Sequence, residues 1–175
     1  MPVETALSLY DALWKVGIDI GLKDCGYYAL DALRIEAGRR AFPAELSPDY
    51  TPFEAGLGFA VKLDKPQDFI GKAALLNAPR DALLKRLVTF TFAETALFAW
   101  GGEPVLRDGQ AVGEIYSVGY SATLGCMVGM AYVNSPKPQT RDEILTGHYE
   151  IEISGSRVAA NATLKAPWPQ ATFQK

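Results

Sequence analysis

The apolar positions change their spacing about halfway along the chain. In the first half they follow a helical period. Ala6, Leu9, Tyr10, Leu13 and Val16 fall on one stripe, Pro2 stands near the start and Gly17 stops the run. A second helical pattern runs from about Gly26 to Ala37, with Ala29, Leu30, Leu33 and Ala37 on one face and Gly38 at its end. Pro43, Pro48 and Pro52 make the stretch from Arg39 to Pro52 an irregular, partly extended loop. Leu57 to Leu63 is predicted to be a buried strand, and Phe69 to Asn77 a short helix before the Ala78-Pro79 break.

The second half is strand-like. From Leu87 the run Arg86 to Phe92 alternates with period two. Val105-Leu106-Arg107 and Gln110-Ala111-Val112 flank Asp108-Gly109, a dipeptide that accepts the positive φ of a tight hairpin turn. Gly113 to Tyr120, Gly129 to Val133, Tyr149 to Ile153 and Arg157 to Leu164 are further predicted strands. Short strands at this spacing predict a small antiparallel β-barrel. The fold class read from the pattern is therefore α+β: a helical, mixed N-terminal part followed by a small antiparallel barrel. The expected boundary divides residues 1–82 from residues 83–175.

Composition narrows the function classes. A chain of 175 residues, 49% apolar and 21% charged, buries a real core and is not a disordered segment. The net charge of -3 comes from interspersed acids and bases, so no basic stripe points to a nucleic acid. The uncharged run from Ile115 to Pro136 approaches the length of a membrane span. Its serines, threonine and glycines suit sheet and turn instead, so no membrane partner is expected. The N-terminus shows neither a basic nor an apolar targeting region, and the expected location is cytoplasmic. The two cysteines, Cys25 and Cys126, form no metal-ligand or redox pair, and the single His148 leaves little scope for a metal site or a Ser-His-Asp triad. No P-loop, dinucleotide fingerprint or glycosidase-like carboxylate pair is present.

Arg34 is the one local oddity, because helical spacing sets it beside Leu33 at the edge of the apolar stripe. A guanidinium there needs a fixed anion. Two readings stand: a surface pair with Asp31 one turn back, or an inward arginine that receives an acidic small molecule. Glu36 is a solvated or capping carboxylate or a ligand contact. Glu54, at a Pro/Gly-rich turn, is read as structural. His148 is read as a surface strand residue and Cys126 as a small core residue, while Trp100 and Trp168 are read as packing residues. No catalytic residue emerges. These patterns stop at an α+β domain with a barrel.

Longer strings add a resemblance. Leu33-Arg34-Ile35-Glu36-Ala37-Gly38, followed by Thr51-Pro52-Phe53-Glu54-Ala55-Gly56-Leu57-Gly58, resembles the central signature of the glycine-cleavage T-protein (aminomethyltransferase) family. Asp68 to Leu75 resembles its next motif. Gly113 to Gly125, with Met130-Ala131-Tyr132-Val133, resembles the core of its C-terminal barrel. Phe59 to Pro66 is closer in wording to the folate domains of sarcosine and dimethylglycine dehydrogenases, and Leu30, where many T-proteins have arginine, favours the same branch.

The resemblance implies a tetrahydrofolate-binding domain that transfers a one-carbon unit from an aminomethyl or methylamine donor. It also implies a chain that is the C-terminal half of such a domain. The upstream half, with the family's aspartate near the reacting nitrogen and its pterin-holding Gly-Glu segment, has no counterpart here. The missing half of the same polypeptide is then an expected partner, alongside folate itself and self-association into a homo-oligomer. FAD is expected only in a further domain of a parent enzyme, and the piece alone is expected to be inactive. The resemblance carries Arg34 into the folate site. It places Phe173 where the family's tail often has a tyrosine, a position from which phenylalanine stacks but donates no hydrogen bond. The alternative is a degenerate T-protein-like module for folate binding or protein interaction without catalysis.

Overall fold

The computed structural model of the protein describes residues 2–93 and 98–168. Its contacts divide it into two compact units, one ending at Leu30 and one beginning at Asp31.

In the first unit a 3-10 turn, Val3–Thr5, runs into helix α1, Ala6–Gly17, close to the predicted span. Gly17 ends the helix because the chain folds tightly back. A Cβ there would lie 2.6 Å from Leu22 Cδ2, and the Leu22 N–H donates to the Gly17 carbonyl at 2.9 Å. Tyr10 stacks on Trp14 and donates to Asp24. The predicted apolar stripe forms but stays exposed, with Leu13 at 59% and Val16 at 75%.

The second unit centres on a closed barrel of six antiparallel strands: β1 Leu83–Phe92, β2 Pro104–Arg107, β3 Gln110–Ser121, β4 Cys126–Gln139, β5 Tyr149–Ile153 and β6 Ser156–Thr163. Around the barrel the order is β1-β4-β3-β2-β5-β6. Every strand has two neighbours around the ring, although β1 meets β6 only over Thr89–Phe92 and β3 meets β2 only over Gln110–Glu114. The Asp108-Gly109 turn takes φ of 52° and 80°, as its sequence requires. Val88, Phe90, Phe92, Val105, Ile115, Ala131 and Ile151 fill the interior. The predicted α+β class with its small antiparallel barrel is the observed one.

The outer wall over β1, β3 and β4 is also covered. Leu87, Val128, Met130 and Tyr132 point outward with the opposite parity and meet Ile35 of helix α2, Tyr27–Glu36. This two-sided burial explains why the β3–β4 hairpin lacks charge from Ile115 to Asn134. Among the described residues no helix is long and apolar enough to cross a membrane. Helix α2 sits very close to the sheet at Gly119, where a Cβ would lie 3.2 Å from the Ala32 backbone.

Two local expectations change. The buried face of α2 carries Ile35 and Glu36, whereas Leu30 and Leu33 are exposed by more than half. The barrel wall, not the richer apolar stripe, selects the face. Leu57 to Leu63 is not a strand: Gly56 has φ of 71°, and a 3-10 turn, Gly58–Ala60, follows. Its apolar run has no pairing partner, and Phe59 lies 75% exposed. The short helix after it is trimmed to α3, Lys72–Asn77, and a further short helix, α4, Arg141–Leu145, begins with a Thr140–Glu143 capping box.

Packing by Ile35 rather than Leu33 has a direct check. Ile35→Ala is expected to cost about 2–5 kcal/mol in urea unfolding, and Leu33→Ala roughly 0.5 kcal/mol or less.

Candidate functional site

The end of α2 is a Schellman motif. Gly38 has φ of 65°, its N–H donates to the Ile35 carbonyl at 2.9 Å, and the Arg39 N–H donates to the Arg34 carbonyl at 2.8 Å. This stop fixes the last turn of the helix and points Arg34 at the loop that follows. Three elements supply its acceptors. Nε donates to Asp31 Oδ1 at 2.7 Å, Nη1 to Glu45 Oε2 at 2.7 Å and to the Arg39 carbonyl at 3.3 Å, and Nη2 to Ser117 Oγ at 2.7 Å.

The pair with Asp31 forms, as the first reading of Arg34 expects. The guanidinium also reaches inward, where its anion is Glu45 of this chain and not a small molecule. The two carboxylates differ sharply in setting. The Glu45 side chain is 0% exposed and that of Asp31 is 42% exposed. Burial opposes the charge of Arg34, yet the hydrogen bonds to Glu45 and Asp31 outweigh it and hold its pKa above the usual arginine value.

Glu45 is itself held by its neighbours. Oε2 also accepts the Ala41 N–H at 2.8 Å, and its carbonyl accepts the Tyr132 hydroxyl at 2.9 Å. Tyr132 stacks on Tyr50 with ring centroids 3.9 Å apart, and the Tyr50 and Tyr116 hydroxyls meet at 2.9 Å. One irregularity in β3 makes this possible. Between Ile115 and Ser117 the register against β4 slips by one residue, so Tyr116 and Ser117 both face outward. Tyr116 then meets Tyr132, and Ser117 meets Arg34.

Glu45, Ser117, Tyr50, Tyr116 and Tyr132 carried no signal as site residues. Glu45 lay in a proline-rich loop, and the bulge breaks the alternation that would have turned Ser117 inward. Glu54 has the structural role expected: its Oε2 accepts both the Thr51 N–H and hydroxyl at 2.8 Å. Glu36 is buried near Cys126, whose thiol is pushed up by burial and then by that carboxylate. His148 is exposed, as read from the sequence, but lies just before β5 and not in it, whereas Trp100 lies 74% exposed beside Phe98 and is not a packing residue. Phe173 lies outside the described residues. Among the described residues no cluster of His, Cys, Asp or Glu could hold a metal ion.

This fold and signature define a class. Residues 1–65 match the family model for the GCVT N-terminal domain, and residues 85–168 match that for the glycine cleavage T-protein C-terminal barrel domain. The chain belongs to the glycine-cleavage T-protein family. It is 38% identical over 175 residues to the mitochondrial pyruvate dehydrogenase phosphatase regulatory subunit of Mus musculus, across 94% of this chain and 20% of that protein. It is 35% identical over 170 residues to the mitochondrial sarcosine dehydrogenase of Homo sapiens, across 96% of this chain and 18% of that protein. Its fold is shared by the crystal structure of glycine cleavage system aminomethyltransferase T from Bartonella henselae, with a TM-score of 0.72, 24% identity, and coverage of 95% of this chain and 44% of that one. The chain therefore spans about a fifth of the length of these curated relatives.

The tyrosine cluster has a pH signature. Hydrogen bonding to Tyr116, then burial, pushes the Tyr50 hydroxyl up to about 12, and burial raises Tyr132 further. Both groups hold their protons more tightly in the fold than in the unfolded chain, so the stability they contribute is intact below pH ~10 and is lost as the pH rises through ~12. Urea midpoints measured across pH 9–12 are expected to fall along this window, and to fall less steeply in Tyr50→Phe.

Proposed function

We propose that this chain is the tetrahydrofolate-binding part of a one-carbon transfer enzyme, of the sarcosine dehydrogenase or aminomethyltransferase kind. The observation that carries the reading is the match to sarcosine dehydrogenase over 96% of the chain, with both family models matched in sequence order. Tetrahydrofolate supplies, when bound, a nucleophilic nitrogen that takes up the one-carbon unit. The rest of the same polypeptide completes the site, and a flavin domain, where the parent is a dehydrogenase, oxidises the amine. The cytoplasm is the location proposed for the chain.

Arg34 is the folate-binding residue in this reading, and its surroundings fit that role on one side only. Glu45 is buried and holds Nη1 for the fold. Asp31 is solvent-facing and is the partner that an incoming carboxylate displaces from Nε. The chain's own contribution is to bind and orient: α2 and its glycine stop aim the guanidinium, and Ser117 fixes its plane. Phe173 is proposed as a stacking contact.

A second reading, a folate- or protein-binding module without catalysis, is favoured by the equally extensive likeness to a phosphatase regulatory subunit. Titration of tetrahydrofolate into the protein at its full natural length, followed by tryptophan fluorescence, separates these readings. The first expects saturable binding, retained or tightened in Asp31→Ala and about tenfold weaker in Arg34→Lys. It also expects uptake of a one-carbon unit from an N-methylated amine. Binding without uptake supports the second reading, and no binding contradicts the first.

A further inference from the structure

A cavity of about 670 Å³ is lined by the loop from Phe53 to Asp64, by β1 and by the start of α4, and collects four arginines: Arg40, Arg80, Arg86 and Arg141. Arg86 precedes Leu87 on β1 and has the inward parity of Val88 and Phe90. It is only 7% exposed, and its Nε and Nη1 are buried with no hydrogen-bond partner. Arg40 donates only to the carbonyls of Ala55 at 3.0 Å and Gly38 at 2.6 Å. Arg80 donates to the Leu76 carbonyl at 3.4 Å and lies over the Phe53 ring at 5.5 Å. Arg141 opens α4. The ion pairs found among the described residues engage Arg34, Arg107 and Arg157, and none of these four.

The backbone makes room for this arrangement. Gly56 has φ of 71°, and a Cβ there would lie 2.8 Å from Arg40 Nη2. Among the described residues the one carboxylate lining the cavity is Asp64, and it lies beyond ion-pair distance of the four guanidiniums. Burial pulls the pKa of Arg40 and Arg86 below the usual arginine value, and Arg141 adds to this at Arg86 against a smaller opposing pull from Asp81. A partly buried cation with unused donors is costly in a fold unless something of opposite charge meets it.

We infer that this cavity is a binding site for a small polyanion, a molecule carrying two or more carboxylate or phosphate groups. Its volume suits a small molecule. Planar guanidiniums converging from a loop, a strand and a short helix match the forked geometry of both anion types. Arg34 does not line the cavity, so the site stands apart from the folate reading and neither depends on the other.

Thermal and urea unfolding of the 175-residue chain with added pyrophosphate or citrate, against sodium chloride at matched ionic strength, tests this. The expected result is a saturable rise in the midpoint beyond the chloride control. The pyrophosphate and citrate arms tell phosphate-bearing from carboxylate-bearing ligands. Arg141→Gln, at an exposed position, is expected to weaken the apparent affinity roughly ten- to a hundredfold while the midpoint in buffer does not fall, because a like charge beside Arg86 is removed. Arg86→Met is expected to abolish the effect while raising the midpoint in buffer, because it removes an uncompensated buried charge. The proposal is overturned if neither anion exceeds the chloride control, or if Arg141→Gln keeps the full response.

Discussion

The buried carboxylate of Glu45 is the constraint around which the second unit is arranged. A carboxylate with no exposure demands a cation and hydrogen bonds. Arg34 and the Ala41 N–H supply them. Both bonds fall on Oε2, and Oε1 is buried without a partner, so the Arg34 pair is the chief compensation for this charge and holds the proline-rich loop against the end of α2. Tyr132, reaching the Glu45 carbonyl from β4, ties the same point to the sheet. A helix end, a loop and two strands therefore share one electrostatic knot.

The knot also gives the segment from Leu33 to Gly38 its physical meaning in this chain. Gly38 provides the left-handed stop that aims Arg34, and Ile35 anchors the same turn to the barrel wall. The guanidinium is divided between a buried partner, Glu45, and a partly exposed one, Asp31. The helix-neighbour pair read from the sequence is therefore one half of a larger, three-element arrangement. The four arginines of the cavity have no ion-pair partner among the described residues, and this difference in pairing, not charge alone, sets the two clusters apart.

Much of the fold was legible because it rests on local rules. Period two and the Asp108-Gly109 turn located the barrel strands, and Gly17 and Gly38 located two helix ends. What escaped was set by tertiary contact. The exposed Leu30 and Leu33 outscore Ile35 as an apolar stripe, yet the close approach at Gly119 decides which side of α2 is buried. The Leu57 to Leu63 run has strand composition but no neighbouring strand. Arg34 was visible as an anomaly, whereas Glu45 and Ser117 were not: one sits in a loop without periodicity, and the other is turned outward by a single-residue bulge. Arg86 hid inside an alternating strand whose same-parity neighbours Val88, Phe90 and Phe92 are ordinary core residues.

A double-mutant cycle on Arg34 and Glu45 tests this account most directly. Arg34→Met and Glu45→Met are each expected to lower the unfolding free energy by about 3–5 kcal/mol, because each strands its partner. The double variant is expected to lose far less than the two losses combined. Additive losses would contradict the account, since they would mean that the two side chains stabilise the fold independently.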